Sequence, residues 1–372
     1  MSTDHHAGLE DVEVLESSIC EITQDQLNYR GYSVLDLAQF ASFEEAVYLL
    51  WHSALPTQEQ LSQFQTELRA EYGLPREIIE HINHVPREAH PMAVLRTLVS
   101  SLGLYDPEAG DNSELANMRK ATRLLAKIPM IVAAIARHRL AKAHVDFNPE
   151  LSLAGNFLHC MGGFPIEPKS VRVFETTLIL YAEHELNAST FAARITAGTQ
   201  AEIYSAIVAA IATLQGGLHG GANQKALEAL LEIGKPEKVS EYVQNLLKKK
   251  ERIMGFGHRV YKKGDPRVPI LRKMCSDIAA TEHQKQLFAT AEALEKEMFA
   301  KKKLHANVDY YSGLAYYFLG LSADLYTCVF AIARTAGYVA HIIEQNKQNR
   351  LIRPRAVYTG KKKQKYIPIS ER

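Results

Sequence analysis

The sequence predicts an all-α protein. Helix-opening signals recur along the chain, apolar residues repeat at three- and four-residue spacing, and strand-like alternation is confined to the N-terminal end. With 372 residues, 47% of them hydrophobic, the chain can bury one large core or two.

Val12 to Thr23 and the approach to Tyr32 show short alternation and read as a small hairpin. Ser42 with Glu45, and Thr57 with Gln60, are capping boxes that open SFEEAVYLLWHSAL and TQEQLSQFQTEL. Phe43, Ala46, Val47 and Leu50 then share one helical face. Pro129 suits a first turn ahead of MIVAAIARHRLA, where its missing N–H is not needed. Pattern and propensity extend helix over 170–183, 190–214, 223–233, 239–250, 266–281, 284–302, 310–319 and 325–347. The longest apolar run, Ile203 to Leu214 (IYSAIVAAIATL), is shorter than the about 20 residues a bilayer crossing needs and reads as a core helix. No repeat and no Pro-, Gly- or Ser-rich linker divides the chain, so any two domains interrupt one another.

Composition narrows the function. Lys plus Arg (43) and Asp plus Glu (42) nearly cancel, so no global field favours nucleic acid or a membrane and any anion site is built locally. Cys20, Cys160, Cys275 and Cys328 lack CxxC spacing, which argues against a zinc site or disulfide framework and suits a reducing compartment. MSTDHHAGLEDVEVLESS has no basic segment leading into an apolar one, so a cytoplasmic location is expected, with His5 and His6 in a disordered polar terminus. The 15 histidines show no HExxH or comparable spacing, which disfavours a metallohydrolase.

Four groups of residues can carry chemistry. LQGGLHGGAN, from Leu214 to Asn223, sets four glycines around His219 just ahead of a helix, whose dipole and N–H groups disfavour a protonated ring. Such a histidine can stay neutral and donate to a substrate carbonyl; a plain helix–helix turn explains the glycines equally well, and no GKS or GKT marks a phosphate loop. ERIMGFGHRVYKKGDPR, from Glu251 to Arg267, surrounds His258 with glycines, Arg259, Lys262, Lys263 and Arg267, which suits an anion held close to backbone; LLKKKER before it reads as a solvated helix end. In ANVDYYSG, Asp309 stands between an apolar residue and two tyrosines. Desolvation there would raise its pKa toward that of a general base, while a helix N-cap is the simpler reading of that residue alone. AEHELNAST, AIARTAG and NRLIRPRAVYTG supply His184, Arg334, Arg353 and Arg355. Arg334, in an apolar helix, requires a salt bridge or an anionic ligand, and guanidinium forks match a di- or tricarboxylate.

In this order, EHELNAST, LHGGAN, MGFGHRVYKKGDPR, NVDYYSG, an arginine-bearing helix and RLIRPRAVYTG resemble the citrate synthase family, in the short form shared by bacterial citrate synthases and 2-methylcitrate synthases. The likeness runs from about Leu9 through Tyr366 and includes ASFEEAVYLLWHSALPT and HPMAVLRTLVS. It implies a nearly all-α homodimer, each subunit having a large domain (1–220 and 320–372) and an inserted smaller helical domain (221–319) that closes over the substrates. It also implies condensation of acetyl-CoA with oxaloacetate and water to citrate and CoA, with acetyl-CoA as cosubstrate, no metal and no permanently bound cofactor.

The same resemblance implies roles for particular residues. Asp309 takes a proton from the acetyl methyl, His219 hydrogen-bonds the thioester oxygen, and His258 polarises the ketone and protonates the new alkoxide. His184, Arg267, Arg334 and, from the second subunit, Arg353 hold the oxaloacetate carboxylates. Arg252, Ile253, Met254, Gly255, Phe256 and Gly257 match the adenine-contacting loop, and Lys262 a phosphate-contacting position. Two departures stand out: Gly217 replaces a proline that relatives often carry before LHG, and the chain lacks the N-terminal region of the longer Gram-negative enzymes, so their NADH-regulated hexamer is not expected. The nearest rival is 2-methylcitrate synthase, since one methyl is worth only about 1–3 kcal/mol of discrimination in an apolar pocket. NVDYYSG and the RPRAVYTG ending lean toward citrate synthase. A non-catalytic CoA- or carboxylate-binding relative would need to lose His219, His258 or Asp309, and all three are present.

Overall fold

The computed structural model of the chain describes residues 7–9, 12–162, 166–249, 251, 253–258 and 260–372; His5, His6, Arg252 and Arg259 lie outside them. The described residues include sixteen α-helices, four short 3-10 helices and three short strands. The expected hairpin is a three-stranded antiparallel sheet, Cys20–Ile22, Leu27–Tyr29 and Tyr32–Ser33, with Cys20 opposite Tyr29 and Asn28 opposite Ser33. Arg30 (φ 50°) and Gly31 (φ 85°) form the second turn, where two left-handed residues match the twist of the strands. The third strand has two residues, too few to show alternation.

Both capping boxes form. Ser42 Oγ accepts from the Glu45 amide at 3.2 Å while Glu45 accepts from the Ser42 amide at 2.7 Å, and Thr57 with Gln60 repeats the pattern at 3.2 and 2.8 Å. Pro129 departs from expectation: it lies inside the Glu114–Arg139 helix rather than at a first turn. Its ring removes one helical hydrogen bond and crowds the carbonyl of Leu125, costing about 3 kcal/mol. Burial of Leu124, Leu125, Ile128, Ile131, Val132 and Ile135 on either side, at about 1.5–3 kcal/mol each, outweighs that. The single helix expected over 190–214 is two, Ala188–Gly198 and Ile203–Leu214, packed on each other. Gln200 has φ 66°, and the Glu202 side chain caps the second helix through the Ser205 amide at 2.9 Å.

Tyr326–Lys347 is the central helix, packed against Phe43–His52, Glu114–Arg139, Pro168–Tyr181, Ala188–Gly198 and Ile203–Leu214. Ala323–Lys347 is long and apolar enough to cross a membrane, yet 94% of its apolar window is buried within the fold, as befits a core helix. A second group packs together: Ala222–Ile233 and Val268–Ile278 against Val308–Phe318, and Val239–Lys249 against Glu282–Lys302. Pro168–Tyr181 touches both groups through Val268–Ile278 and Val308–Phe318. The candidate residues gather along that contact. Beyond Lys347 the chain runs exposed, with Leu351, Val357, Tyr358, Tyr366 and Ile369 facing outward.

Candidate active site

The turn holding His219 is closed by hydrogen bonds from the His219 amide to the Gly216 carbonyl (2.9 Å) and from the Gly220 amide to the Leu214 carbonyl (3.1 Å). A Cβ at Gly220 would stand 2.5 Å from the Leu214 carbonyl oxygen and 2.7 Å from Thr327 Cγ2, whereas Gly217 and Gly221 face open space. Close approach therefore requires glycine at position 220. His219 Nε2 lies 2.7 Å from Ser189 Oγ, and its ring meets Phe330 edge-on with centroids 6.3 Å apart. Burial, then the charge of Arg334, pushes its pKa down to about 4. The direction is the expected one, and burial and Arg334 act beside a helix start that falls at Ala222, next to the Asn223 start read from the sequence.

His258 accepts the amides of Val260 and Tyr261 on Nδ1 at 3.1 and 3.2 Å, so the neutral ring carries its proton on Nε2. The ring stacks on Tyr261 at 4.4 Å and stands 5.2 Å from His184, and burial followed by the Arg267 charge brings it to about 4. His184 Nε2 lies 3.2 Å from the Tyr261 hydroxyl; burial, Arg267, Arg334 and His258 hold its pKa well below the usual imidazole range.

Arg267 is gripped by buried Asp265, with Nε to Oδ1 and Nη2 to Oδ2 both at 2.8 Å, and Nη1 reaches the Leu180 carbonyl at 3.3 Å. Asp265 Oδ2 also accepts the Val308 amide at 2.9 Å, tying this loop to the helix that carries Asp309. Asp309 is not the N-cap of that helix. Asn307 is the cap, its Oδ1 accepting the Asp309 amide at 3.1 Å, which turns the carboxylate to other use. Asp309 Oδ1 accepts from the Tyr181 hydroxyl at 2.6 Å. Burial raises the Asp309 pKa above the usual carboxylate value, against the lowering effects of Tyr181, Arg267 and Arg334.

Arg334 donates from Nε to the Tyr181 carbonyl at 2.7 Å and lies over the Phe330 ring at 4.6 Å. It is 2% exposed, and no described carboxylate pairs with it. Of the two outcomes the sequence allows, no salt bridge forms there among the described residues, which leaves Nη1 and Nη2 for an anion.

Gly255 and Gly257 have φ of 86° and 76°, and the segment is laced to residues ahead of Asp309: Gly257 amide to His305 carbonyl (2.8 Å), Asn307 amide to Gly255 carbonyl (2.9 Å), and Phe256 bridged to Ala306. Ile253, Met254 and Phe256 are half-buried. A cavity of about 180 Å³ is lined by Gly257, His258, Tyr261, Lys262, Lys303 and His305. Lys262 is exposed at this cavity, and Arg252 falls outside the described residues. Arg353 is not brought to the cluster within one chain; it lies exposed on the C-terminal segment. Sequence reasoning missed Tyr181, Ser189, Tyr261 and Asp265, each marked only by standing near a residue it had singled out. Among the described residues, no group of three or more His, Cys, Asp or Glu side chains is arranged to hold a metal ion.

Neutral imidazoles, a desolvated carboxyl and a buried guanidinium can together remove a proton beside a carbonyl and hold the resulting charge. On this helical frame such a set suits an enzyme, and the following likenesses place the chain among the acyltransferases. A family profile described as "Citrate synthase, C-terminal domain" matches residues 8–355. Citrate synthase 2 of Bacillus subtilis (strain 168) is 47% identical over 366 residues, covering 98% of each chain. 2-Methylcitrate synthase 1 of Corynebacterium glutamicum is 41% identical, covering 94% of this chain and 93% of its own. The citrate synthase of Thermoplasma acidophilum, solved as a ternary complex with carboxymethyl coenzyme A and oxaloacetate, superposes with TM-score 0.91 at 34% identity, covering 98% and 99%. The chain belongs to the citrate synthase family.

Proposed function

We propose that the protein is a citrate synthase, condensing acetyl-CoA with oxaloacetate and water to citrate and CoA. The observation that carries this reading is the convergence of His219, His258 and Asp309, each displaced from its ordinary pKa by burial, around an unpaired Arg334. Asp309 removes a proton from the acetyl methyl while His219 donates to the thioester oxygen. For Nδ1 to donate from a neutral ring, Nε2 must accept from Ser189 Oγ, whose single proton otherwise goes to Asn187 Oδ1 at 2.7 Å. The enolate carbon attacks the ketone carbon of oxaloacetate, and His258 passes its Nε2 proton to the new alkoxide. Water then cleaves the citryl thioester. Arg334 offers Nη1 and Nη2 to a substrate carboxylate, His184 and Arg267 support it, and Arg353 of the partner subunit completes the site in a homodimer.

Residues 221–319 form the smaller domain that closes on 1–220 and 320–372. The cavity of about 180 Å³ beside His258 and Lys262 is lined wholly by residues of that smaller domain. Residues 253–257 with Arg252 take the adenine end of CoA and Lys262 a phosphate. The four cysteines are unpaired, in keeping with a cytoplasmic enzyme.

A second reading, 2-methylcitrate synthesis from propionyl-CoA, is favoured by the 41% identity to an enzyme of that name. CoA release with oxaloacetate and each thioester separates them. An acetyl-CoA preference of about tenfold or more in kcat/KM is expected. A propionyl-CoA preference overturns the first reading, and no CoA release with either thioester overturns both in favour of a binding protein.

A further inference from the structure

Tyr181 ends the Pro168–Tyr181 helix and is 1% exposed, with its hydroxyl 2.6 Å from Asp309 Oδ1 and 2.7 Å from Ser312 Oγ. Buried Tyr29 and Tyr310 satisfy their hydroxyls on backbone carbonyls, while Tyr311 and Tyr204 meet the carboxylates of Glu295 and Asp106, both of which also pair with arginines. Tyr181 meets a carboxylate that no described cation pairs with. Its position is held on two sides, the ring edge-on to Phe330 at 4.9 Å and the carbonyl accepting from Arg334 at 2.7 Å. A phenol has one proton and an ionised carboxylate only accepts, so Tyr181 donates to Oδ1. Ser312 must then donate to the phenol oxygen. No other described side chain bonds the Asp309 carboxylate.

We propose that Tyr181 is the positioning residue of the base: filling Oδ1, it fixes the rotation of the Asp309 carboxylate and leaves Oδ2 to take the proton from the thioester's α-carbon. This rests on Asp309 being the base. In the step the C–H bond breaks, an O–H bond forms at Oδ2, and the electron pair enters the enolate opposite His219. The phenol keeps its own proton throughout.

A donor to the ionised form also restrains the carboxylate's proton affinity against burial. The ionisable groups around this pair are Arg267 and Asp265 from the loop before Val268–Ile278, Arg334 from the central helix, and Tyr316 from Val308–Phe318. None of them bonds the Tyr181 hydroxyl, whose partners are Asp309 and Ser312, so its removal breaks none of their own hydrogen bonds.

The test is the pH profile of kcat/KM for Tyr181→Phe, which keeps the ring and its packing. Its acid limb is expected to move upward by about one pH unit, with kcat down about tenfold on the plateau and KM for oxaloacetate within about twofold. Ser312→Ala, which weakens the same donor, is expected to move the limb in the same direction by less, and carries the test if the phenylalanine variant does not fold. A limb that stays in place or moves down in the folded variant overturns the proposal. Asp309→Asn separates the two claims. Near-normal turnover in that variant sinks the base assignment itself, whereas loss of turnover there with an unmoved limb in Tyr181→Phe sinks only the role of Tyr181. In the Asp309→Asn background, Tyr181→Phe is expected to change the residual rate no further.

Discussion

His219 and Ser189 are joined by a 2.7 Å contact between Nε2 and Oγ, although they stand on different segments of the chain. Ser189 is wholly buried, and the Tyr338 hydroxyl donates to the same Oγ at 2.7 Å, so the imidazole is oriented by a hydroxyl that is itself held. Ser189→Ala is expected to lower kcat by about 10-fold to 100-fold and to leave KM for oxaloacetate within about twofold. Steady-state kinetics decide it: a raised KM at unchanged kcat would assign Ser189 to binding instead.

Stability should fall with acid in a defined window. An unfolded histidine takes its proton near 6.5, while folded His219 and His258 take theirs only at about 4. Between those values the unfolded chain binds more protons, so lowering pH from about 6.5 to 4 destabilises the fold, and these two groups have no such effect above pH 7. Thermal melts across that range should decline less steeply for His258→Gln than for the wild type. Equal slopes would remove His258 as a cause.

The glycines around His219 should respond unequally to alanine. Gly220→Ala places a methyl against the Leu214 carbonyl and Thr327, for a destabilisation of about 1–3 kcal/mol, with loss of activity as the turn shifts. Gly217→Ala meets open space and no left-handed backbone, so its stability should change by less than about 1 kcal/mol and in the favourable direction. Urea unfolding of the two variants tests the contrast, and equal losses would contradict it.

If Arg353 serves the neighbouring subunit's site, two inactive variants should restore one another. Arg353→Ala mixed with His258→Ala gives, in a mixed dimer, one site lacking both groups and one intact site. About a quarter of wild-type activity is expected after random exchange of equal amounts, since half the dimers are mixed and half their sites are whole. Absence of rescue in dimers shown to be mixed would confine Arg353 to its own subunit.

Local order was legible because it is written in windows of a few residues. The capping boxes at Ser42 and Thr57 and the Ile203–Leu214 helix needed only neighbouring side chains, and the formation of each follows from backbone hydrogen bonding and apolar spacing. His184, His219, His258, Arg267, Asp309 and Arg334 were likewise visible, through the order of their motifs. What could not be read were contacts between distant positions. Pro129 stays inside its helix because apolar burial on either side exceeds the cost of one lost bond. Nothing near Asp309 in sequence announces Tyr181, 128 positions away, and nothing near Arg334 says that no carboxylate among the described residues will reach it. The requirement for glycine at position 220, and not at 217, comes from Thr327 on the central helix as well as from the preceding turn. Short-range signals place each residue on its element, but the distance between two elements is set by the packing of the whole core, and the site's hydrogen bonds and charge balance depend on that distance.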